Sequence, residues 1–397
     1  MKTHRSLIGA ALISLTTVPG VAEIAAYDIR PDVVYGHKLG MALTMDAIKP
    51  KANANGAGVL FMVSGGWVST WVPPESLLTT DINKSLGFTS LLDKGYTLFL
   101  VRHGSSPRFK VPECIDDVRR ALRHVRQHAA EWGLDPSRLG VYGASAGGHL
   151  SLMLGTTGED GKPEAADPLE RAGARVAAVV AIFPPSELKS YLESEKFREQ
   201  FPALQFDAAD WRPVSPIEHV TPDDAPTLLL HGDQDDLVPD IQSRSIHKAL
   251  KDKGVASDLI IIPGAGHGFD GADRDRVVQA MIAWFDTHLA KPNDTSLVGE
   301  WELRVHLGDQ SLDYGLQIAK NGDRFTGTLV SPRSGDHPIE STVLDQGNVN
   351  LRIKRTYEGN EVTFLYSGRL ENGALTGKVT VEGRETEGSG TWSAKRK

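Results

Sequence analysis

A serine flanked by glycines, Gly143-Ala144-Ser145-Ala146-Gly147, has the residue types and spacing of a nucleophile elbow. A serine held on a sharp turn between a strand and a helix presents its hydroxyl outward, and the glycines let the two elements approach without a clashing Cβ. The helix behind it would add a positive dipole end and free N–H groups near the reacting oxygen. Because the chain holds 40 glycines in 397 residues, the pattern alone is weak evidence and its setting must support it.

A serine hydroxyl is a poor nucleophile near neutral pH, so this chemistry also needs a base and an orienting acid. His267, in Gly266-His267-Gly268-Phe269, is the candidate base, on a glycine-rich loop that leaves its ring accessible. The acid would come from His231-Gly232-Asp233-Gln234-Asp235-Asp236, where three carboxylates compete. His231 itself is predicted to be a structural hydrogen-bonding residue. The order serine, acid, histidine is the one expected after an elbow of this kind.

The tetrahedral intermediate of acyl transfer carries an oxyanion that needs two or three convergent N–H donors. Ala146, directly after the serine, is predicted to supply one at the helix N-terminus. Gly65 and Gly66, which follow the apolar run Gly58–Val63, are predicted to supply the others, because glycine lets the backbone approach a substrate closely. The alternative is that these two glycines form only a tight turn.

The substrate pocket is expected around Trp67 and His103. We assign it to three segments, Trp67–Leu78, His103–Phe109 and the aperiodic insertion Ser186–Thr221. If exposed, Trp67 could stack on a sugar or an aromatic acyl group, as could Trp71, but burial of a tryptophan is at least as common.

Strands and helices that alternate along the chain must position these residues. Continuous apolar runs predict buried strands at Gly58–Val63, Tyr96–Val101, Leu139–Tyr142, Val176–Phe183, Pro226–Leu230 and Leu259–Ile262. Three- and four-residue spacing predicts helices at Pro112–Trp132, Ala146–Leu154, Ile241–Lys253 and Val277–Leu289. The arginines of the first helix are expected on a solvated outer face: Arg119, Arg120, Arg123 and Arg126. The alternation implies an α/β fold with a doubly wound, mostly parallel sheet, in which ligands bind outside the carboxyl ends of the strands.

The pattern changes after Ala290. A polar linker, Lys291–Ser296, is followed by residues with a period of two and by recurring turn signals such as Asn321-Gly322 and Asn372-Gly373. We expect about eight short strands, forming a small all-β barrel (lipocalin-like) or sandwich. This segment either binds sugar or stabilises the chain, and the second role is favoured.

Composition and the N-terminus bound the remaining possibilities. A net charge of -8 argues against a nucleic-acid partner, and the one cysteine excludes an intramolecular disulfide and a thiol-rich metal site. A basic start, the apolar run Leu7–Val18 and small residues after it predict a secretory signal peptide over residues 1–22, too short to span a bilayer. We therefore expect an exported protein with no membrane span, a catalytic domain at 23–291 and an accessory all-β domain at 292–397.

These residues together resemble the α/β-hydrolase superfamily, and most of all its carboxylesterase branch of feruloyl and acetyl-xylan esterases and hormone-sensitive-lipase-like enzymes. The similarity runs from Val33 to Leu289, and its strongest blocks are Gly143–Leu150, His231–Pro239 and Gly266–Phe269. The resemblance implies a carboxylic ester hydrolase that forms an acyl-enzyme without metal or organic cofactor. Ser145 would attack, His267 would move the proton and Asp235, at the family's acid position, would orient the imidazole. The implied partner is a small-molecule or polysaccharide ester.

Two stretches differ from this branch. Val63-Ser64-Gly65-Gly66-Trp67 stands where relatives often carry His-Gly-Gly-Gly-Trp, and Arg102-His103-Gly104 stands where they usually carry a Tyr-Arg-Leu-type stretch. Two other functions remain as alternatives. One is a serine peptidase of the prolyl-oligopeptidase type, which usually has a large β-propeller ahead of the catalytic domain. The other is a non-catalytic carbohydrate-binding protein that acts through its C-terminal β-domain.

Overall fold

The chain is described by a computed structural model over residues 25–290, 297–308, 310–321, 324–345, 348–357, 360–371, 374–383 and 389–397. The expected signal peptide at 1–22 and the linker Lys291–Ser296 lie outside these described residues. Contacts divide the chain into two compact units, Met1–Leu289 and Ala290–Lys397. None of the helices in the described ranges combines the length and apolar character that crossing a bilayer demands.

The first unit is built around an eight-stranded sheet. Its strands are β1 (Tyr27–Lys38), β2 (Met41–Pro50), β3 (Gly58–Met62), β4 (Thr97–Val101), β5 (Leu139–Ala144), β6 (Ala178–Ile182), β7 (Thr227–Gly232) and β8 (Ser257–Ile262). They lie in the order β1-β2-β4-β3-β5-β6-β7-β8. Strands β3 to β8 run parallel, and the β1–β2 hairpin joins them antiparallel to β4 at one edge. The predicted doubly wound, mostly parallel sheet is confirmed.

Helices connect these strands and cover the sheet. They are α1 (Pro74–Leu78), α2 (Asp81–Leu86), α3 (Phe88–Asp93), α4 (Val111–Gln127), α5 (Ala129–Trp132), α6 (Ala146–Thr156), α7 (Lys189–Glu193), α8 (Glu195–Gln200), α9 (Ile241–Asp252) and α10 (Gly271–His288). Short 3-10 turns occur at Pro168–Arg171, Pro202–Leu204, Ala208–Val214 and Pro216–His219. The aperiodic insertion Ser186–Thr221 is therefore a series of short helical pieces.

Alternate residues of β3 enter two separate hydrophobic cores, because successive side chains of a strand project to opposite faces of the sheet. Leu60 and Met62 join the core that contains the buried face of α4, whereas Val59 and Phe61 join the core that contains the buried face of α10. Every residue of β3 is buried. Burial on both faces explains why this strand has a continuous apolar sequence rather than an alternating one.

The first long helix differs from its prediction in two respects. Helix α4 ends at Gln127, because His128 has φ −100° and ψ 16°, and the separate short helix α5 follows. The expected solvated arginine face is wrong for Arg123, which is only 8% exposed and forms an ion pair with Glu159. Glu159 lies on the segment that follows α6, and helical periodicity does not reveal which distant segment covers a helix.

The second unit is an eight-stranded closed barrel, the first of the two predicted all-β forms. Its strands are β9 (Gly299–Leu307), β10 (Gln310–Asn321), β11 (Arg324–Ser331), β12 (Gly335–Asp345), β13 (Asn348–Tyr357), β14 (Asn360–Glu371), β15 (Ala374–Val381) and β16 (Gly390–Arg396). Trp301, Leu303 and Val305 of β9 are buried while the residues between them are exposed. Since β16 pairs with β9, with Trp392 opposite Val305, the sheet closes on itself around a core of side chains.

Candidate active site

Ser145 lies on the turn between β5 and α6 with φ 55° and ψ −121°, a conformation that residues with a side chain rarely adopt. Such strain is of order 1–3 kcal/mol, so the surroundings must hold it. The Ser145 amide donates to the carbonyl oxygen of Ile182 at 2.8 Å. A Cβ at Gly143 would lie 2.4 Å from the carbonyl carbon of Gly147, and one at Gly147 would lie 2.6 Å from the carbonyl oxygen of Met62. The two glycines therefore let the turn, the helix and β3 meet.

Three side chains from separate loops come together at this turn. Oγ of Ser145 lies 3.0 Å from Nε2 of His267, and Nδ1 of His267 lies 2.7 Å from Oδ2 of Asp235. Asp235 follows β7 and His267 follows β8, so both stand at the carboxyl end of the parallel strands, as Ser145 does. An imidazole that donates from Nδ1 to a carboxylate presents Nε2 as an acceptor for the serine proton. The arrangement can therefore activate a hydroxyl for nucleophilic attack.

Asp235 is held as a carboxylate by its surroundings. Burial opposes its ionisation, but the His231 imidazole, whose Nε2 lies 3.4 Å from Oδ2, and hydrogen bonds from His267 and the Val238 amide outweigh burial and lower the pKa of the Asp235 carboxyl. The amides of Leu237 and Val238 donate to Oδ1 at 3.0 and 2.9 Å. The group therefore stays ionised at neutral pH and fixes the tautomer of the neighbouring imidazole.

The other two carboxylates of this loop have different surroundings. Asp233 and Asp236 are exposed, whereas Asp235 is buried. Asp233 accepts the Gly264 amide at 2.7 Å. The structural role predicted for His231 agrees with its contacts, since its two ring nitrogens lie 2.7 Å from Oγ of Ser243 and from the carbonyl oxygen of Val238.

The loop after β3 forms a tight turn from Gly65 to Val68. The amides of Gly65 and Val68 each donate to the other's carbonyl oxygen at 3.0 Å, and Gly66 and Trp67 have φ 58° and 59°, as the central residues of a type I′ turn do. The Gly65 amide, one of the three expected oxyanion donors, is thus already bonded within the turn. Within the described part of the chain, no hydrogen-bond acceptor is assigned to the amides of Gly66 and Ala146. These two remain the candidate donors.

The BD-FAE family model matches residues 45–250, which is just over half of the chain. The chain belongs to the BD-FAE family. The matched segment includes Ser145 and Asp235 and ends before His267.

This BD-FAE chain is also similar to proteins that are named as esterases. Esterase LipQ of Mycobacterium tuberculosis is 29% identical over 295 residues, which cover 70% of this chain and 66% of LipQ. The chain spans 59–66% of the length of three esterase relatives from that organism. A solved truncated carbohydrate esterase from gut microbiota is 27% identical with a TM-score of 0.54 over 67% of this chain and 98% of that one. The α/β-hydrolase fold is confirmed by this similarity.

A second solved structure shares the fold of this BD-FAE protein. It is an acetyl ester-xyloside bifunctional hydrolase from Caldicellulosiruptor lactoaceticus, with a TM-score of 0.55 and 22% identity, and the match covers 64% of this chain and 95% of that one. At this identity the similarity describes the backbone architecture only.

The two pocket candidates of the BD-FAE chain are both largely buried. Trp67 is 4% exposed and donates its indole N–H to Nδ1 of His149 at 3.3 Å, so its ring faces the protein interior. His103 is also 4% exposed, and its ring nitrogens lie 2.8 Å from Oγ of Ser64 and from the carbonyl oxygen of Gly104. Trp71, in contrast, is 50% exposed.

The loop after β4, which carries Arg102, His103 and Gly104, is anchored to the neighbouring strand β2. The Arg102 guanidinium forms a buried ion pair with Asp46 and donates to Oγ1 of Thr44 at 2.9 Å. Asp117 accepts the Gly104 amide at 2.8 Å from the other side. The backbone that carries His103 is therefore fixed by charged groups on both flanks.

Two clefts lie beside the loops that carry His103 and His267. One, of about 460 Å³, is lined by His103 together with Trp71, Arg108 and Phe109. The other, of about 420 Å³, is lined by His267 together with Phe183 and other residues of its loop. Phe183 packs on the His267 ring with centroids 4.4 Å apart.

Sequence reasoning missed three residues around the turn. Ser64 stands at the end of a predicted strand, but nothing in the sequence indicates its contact with His103, and His149 lies inside the strongest motif without a predicted role. Phe201 lies in the aperiodic insertion and contacts Gly66. The motif itself could have drawn attention to His149, whereas no periodicity or spacing marks Phe201.

Proposed function

We propose that this protein is a secreted serine hydrolase that cleaves carboxylic esters through an acyl-enzyme intermediate. The observation that carries the proposal is the chain of hydrogen bonds from Ser145 through His267 to Asp235, at 3.0 and 2.7 Å. Membership of the BD-FAE family and the similarity to esterase LipQ support the same reaction class.

In the proposed reaction, Oγ of Ser145 attacks the carbonyl carbon of the ester while its proton passes to Nε2 of His267. Asp235 stabilises the imidazolium that results. The amides of Gly66 and Ala146 stabilise the negative charge on the former carbonyl oxygen. The His267 proton then goes to the leaving alcohol, and a water molecule activated by the same imidazole hydrolyses the acyl-enzyme.

The proposed substrates are acetyl or feruloyl esters of plant polysaccharide. The 27% identity to a carbohydrate esterase supports this class, and the expected signal peptide at residues 1–22 would bring the enzyme to such polymers outside the cytoplasm. The half-exposed ring of Trp71 offers a surface on which a sugar could stack. The substrate class is tested by assaying acetylated xylan, methyl ferulate and a series of p-nitrophenyl esters side by side. If the enzyme hydrolysed p-nitrophenyl acetate but neither acetylated xylan nor methyl ferulate, the proposed substrate class would be contradicted and the proposed mechanism would not.

The mechanism is tested by Ser145→Ala in hydrolysis of p-nitrophenyl acetate. We expect kcat to fall by about 10³-fold or more, since residual rates come only from binding and the oxyanion donors. A fluorophosphonate probe should label the native enzyme at Ser145 and leave the variant unlabelled. Equal rates for both proteins, or labelling elsewhere, would overturn the proposal. Gly-Pro-p-nitroanilide is included as a substrate, because faster cleavage of it would favour the peptidase alternative.

A further inference from the structure

Ser64 and His103 form a hydrogen bond at one end of the turn that carries Gly66. Nδ1 of His103 lies 2.8 Å from the Gly104 carbonyl oxygen, which can only accept, so Nδ1 must carry the proton. Nε2 of a neutral ring is then an acceptor, and the Ser64 hydroxyl donates to it at 2.8 Å. The partners available to the ring therefore assign both its tautomer and the direction of the Ser64 bond.

Trp67, the second central residue of the turn, makes a matching contact with His149. Nε2 of His149 lies 2.7 Å from the carbonyl oxygen of Val214, so this nitrogen donates and Nδ1 accepts the indole N–H of Trp67 at 3.3 Å. His149 lies on α6, four residues after Ser145, whose carbonyl accepts the His149 amide. The second histidine thus links the turn to the helix that begins at the nucleophile.

The turn needs such restraint because both its central residues have positive φ and one of them, Trp67, is not glycine. Its backbone also passes close to the elbow, since a Cβ at Gly147 would lie 3.5 Å from the Ser64 carbonyl oxygen. A small movement of this turn would displace the Gly66 amide relative to the oxyanion, and electrostatic stabilisation depends on the position of the donor.

We propose that His103 and His149 are positioning residues that hold the Gly65–Val68 turn so that the Gly66 amide points at the oxyanion. His103 acts through Ser64, which directly precedes the turn, and His149 acts through Trp67 within it. This inference rests on the proposed esterase function. His103 and Ser64 lie in the two stretches, Arg102–Gly104 and Val63–Trp67, that are expected from the resemblance to differ from the carboxylesterase branch. The two stretches are thus in contact with each other.

Both rings are suited to this role because they stay neutral. Burial lowers the pKa of His103 to about 4, an effect that the Gly104 carbonyl opposes and the Lys38 charge reinforces. Burial likewise lowers the pKa of His149 to about 4. A neutral imidazole keeps one donor and one acceptor, which is what each of these contacts requires.

The competing interpretation is a second nucleophile and base, because Ser64 and His103 also have the spacing of such a pair. A carbonyl oxygen, that of Gly104, takes the place of the orienting carboxylate. A neutral carbonyl stabilises an imidazolium less than a carboxylate does. Fluorophosphonate labelling followed by peptide mapping distinguishes the two, and a label on Ser64 would overturn the positioning role.

The test compares Ser64→Ala and Trp67→Phe, which each remove one donor to a histidine, with Ser64→Thr, which keeps the hydroxyl. Ser64 is partly exposed, which leaves space for the extra methyl group. The rate of p-nitrophenyl acetate hydrolysis is divided by the concentration of active sites that react with the fluorophosphonate. Unfolded protein therefore does not lower the measured kcat. We expect kcat to fall about tenfold or more in the first two variants with KM nearly unchanged, and Ser64→Thr to stay near wild type.

A boronic acid that forms a tetrahedral adduct with Ser145 gives a second readout. Its affinity should fall in proportion to kcat in Ser64→Ala and Trp67→Phe, because the adduct uses the same donor. Wild-type kcat per titrated site in both variants would overturn the inference. An inactive wild type, or an active Ser145→Ala, would instead overturn the proposed function, so the two failures are distinguishable.

Discussion

Phe201 lies so close to Gly66 that a Cβ built on the glycine would come within 2.8 Å of the ring. The same phenylalanine packs edge-on to Trp67, with ring centroids 6.4 Å apart. The aperiodic insertion therefore packs against the turn that carries the candidate oxyanion donor. Gly66 is constrained twice, by this contact and by its positive φ of 58°.

Gly66→Ala is expected to lower kcat by about 10²-fold, comparable to the loss of one oxyanion donor, because the new methyl group must displace Phe201 or the turn. The measurement is kcat on p-nitrophenyl acetate per fluorophosphonate-titrated site. Gly65→Ala is the matched control, since a Cβ there meets nothing within 4 Å and φ is not in the left-handed region. A Gly65→Ala loss as large as that of Gly66→Ala would contradict the assignment of Gly66.

Asp235→Asn is expected to reduce kcat by about 10⁴-fold, because an amide neither enforces the Nδ1–H tautomer nor stabilises the imidazolium. Asp233→Asn and Asp236→Asn serve as controls for the other two carboxylates of the loop, and both residues are exposed. We expect each control to retain activity within about threefold of wild type. If either lost as much as Asp235→Asn, the acid would have been wrongly assigned.

Lowering the pH should destabilise the folded chain already above pH 4, where Asp235 has not yet taken up a proton. The pKa of His103 and of His149 is about 4 when folded, against an ordinary value of 6.5. The unfolded chain therefore binds more protons between pH 6.5 and 4, so the free energy of unfolding falls as the pH falls through this window, by up to roughly 3 kcal/mol per histidine. The lowered pKa of Asp235 reduces the free energy of unfolding only when the pH falls below 3.8, the ordinary pKa of an aspartate.

Urea unfolding at pH 7 and pH 4.5 measures this effect. His103→Gln should show a smaller difference between the two pH values than wild type, because one titrating group has been removed while a neutral polar side chain remains. An identical pH dependence in both proteins would mean that His103 titrates normally in the folded state.

Cys114, the one cysteine of the chain, is expected to resist thiol reagents in the native protein. It is wholly buried, and burial raises the pKa of its thiol while its Sγ lies 3.4 Å from the Gly104 carbonyl oxygen. Reaction with a disulfide reagent should be slow in buffer and fast in urea. Rapid labelling without denaturant would show that the loop after β4 opens readily.

The strands and the order of the site residues could be predicted because each depends on local sequence. Gly58–Met62 is apolar throughout since both its faces are buried, and the loops of Asp235 and His267 follow similar runs. Such runs mark where parallel strands end, and those ends converge at one edge of the sheet. The spacing of the motifs therefore carried most of the information about the site.

Features that depend on contacts between distant segments were not predictable. The hydrogen bond from the Gly65 amide to the Val68 carbonyl oxygen follows from the type of turn, which the sequence does not specify. The burial of Trp67 follows from the packing of Phe201 and His149 around it, and neither contact leaves a periodic signal. The burial of Arg123 likewise depends on Glu159, from a segment with no regular structure at that residue.

Because the last strand, β16, pairs with the first strand, β9, the barrel can close only at the end of its synthesis. Its seam joins Trp301 to Arg396, so the barrel cannot close before residue 396 has left the ribosome. The sheet of the first unit already has all its strands at residue 262, and α10 is complete at residue 288. Successive hairpins of the barrel can pair as they emerge, but the seam must form last. The unit with the Ser145, Asp235 and His267 cluster therefore has time to fold while the barrel is still being translated.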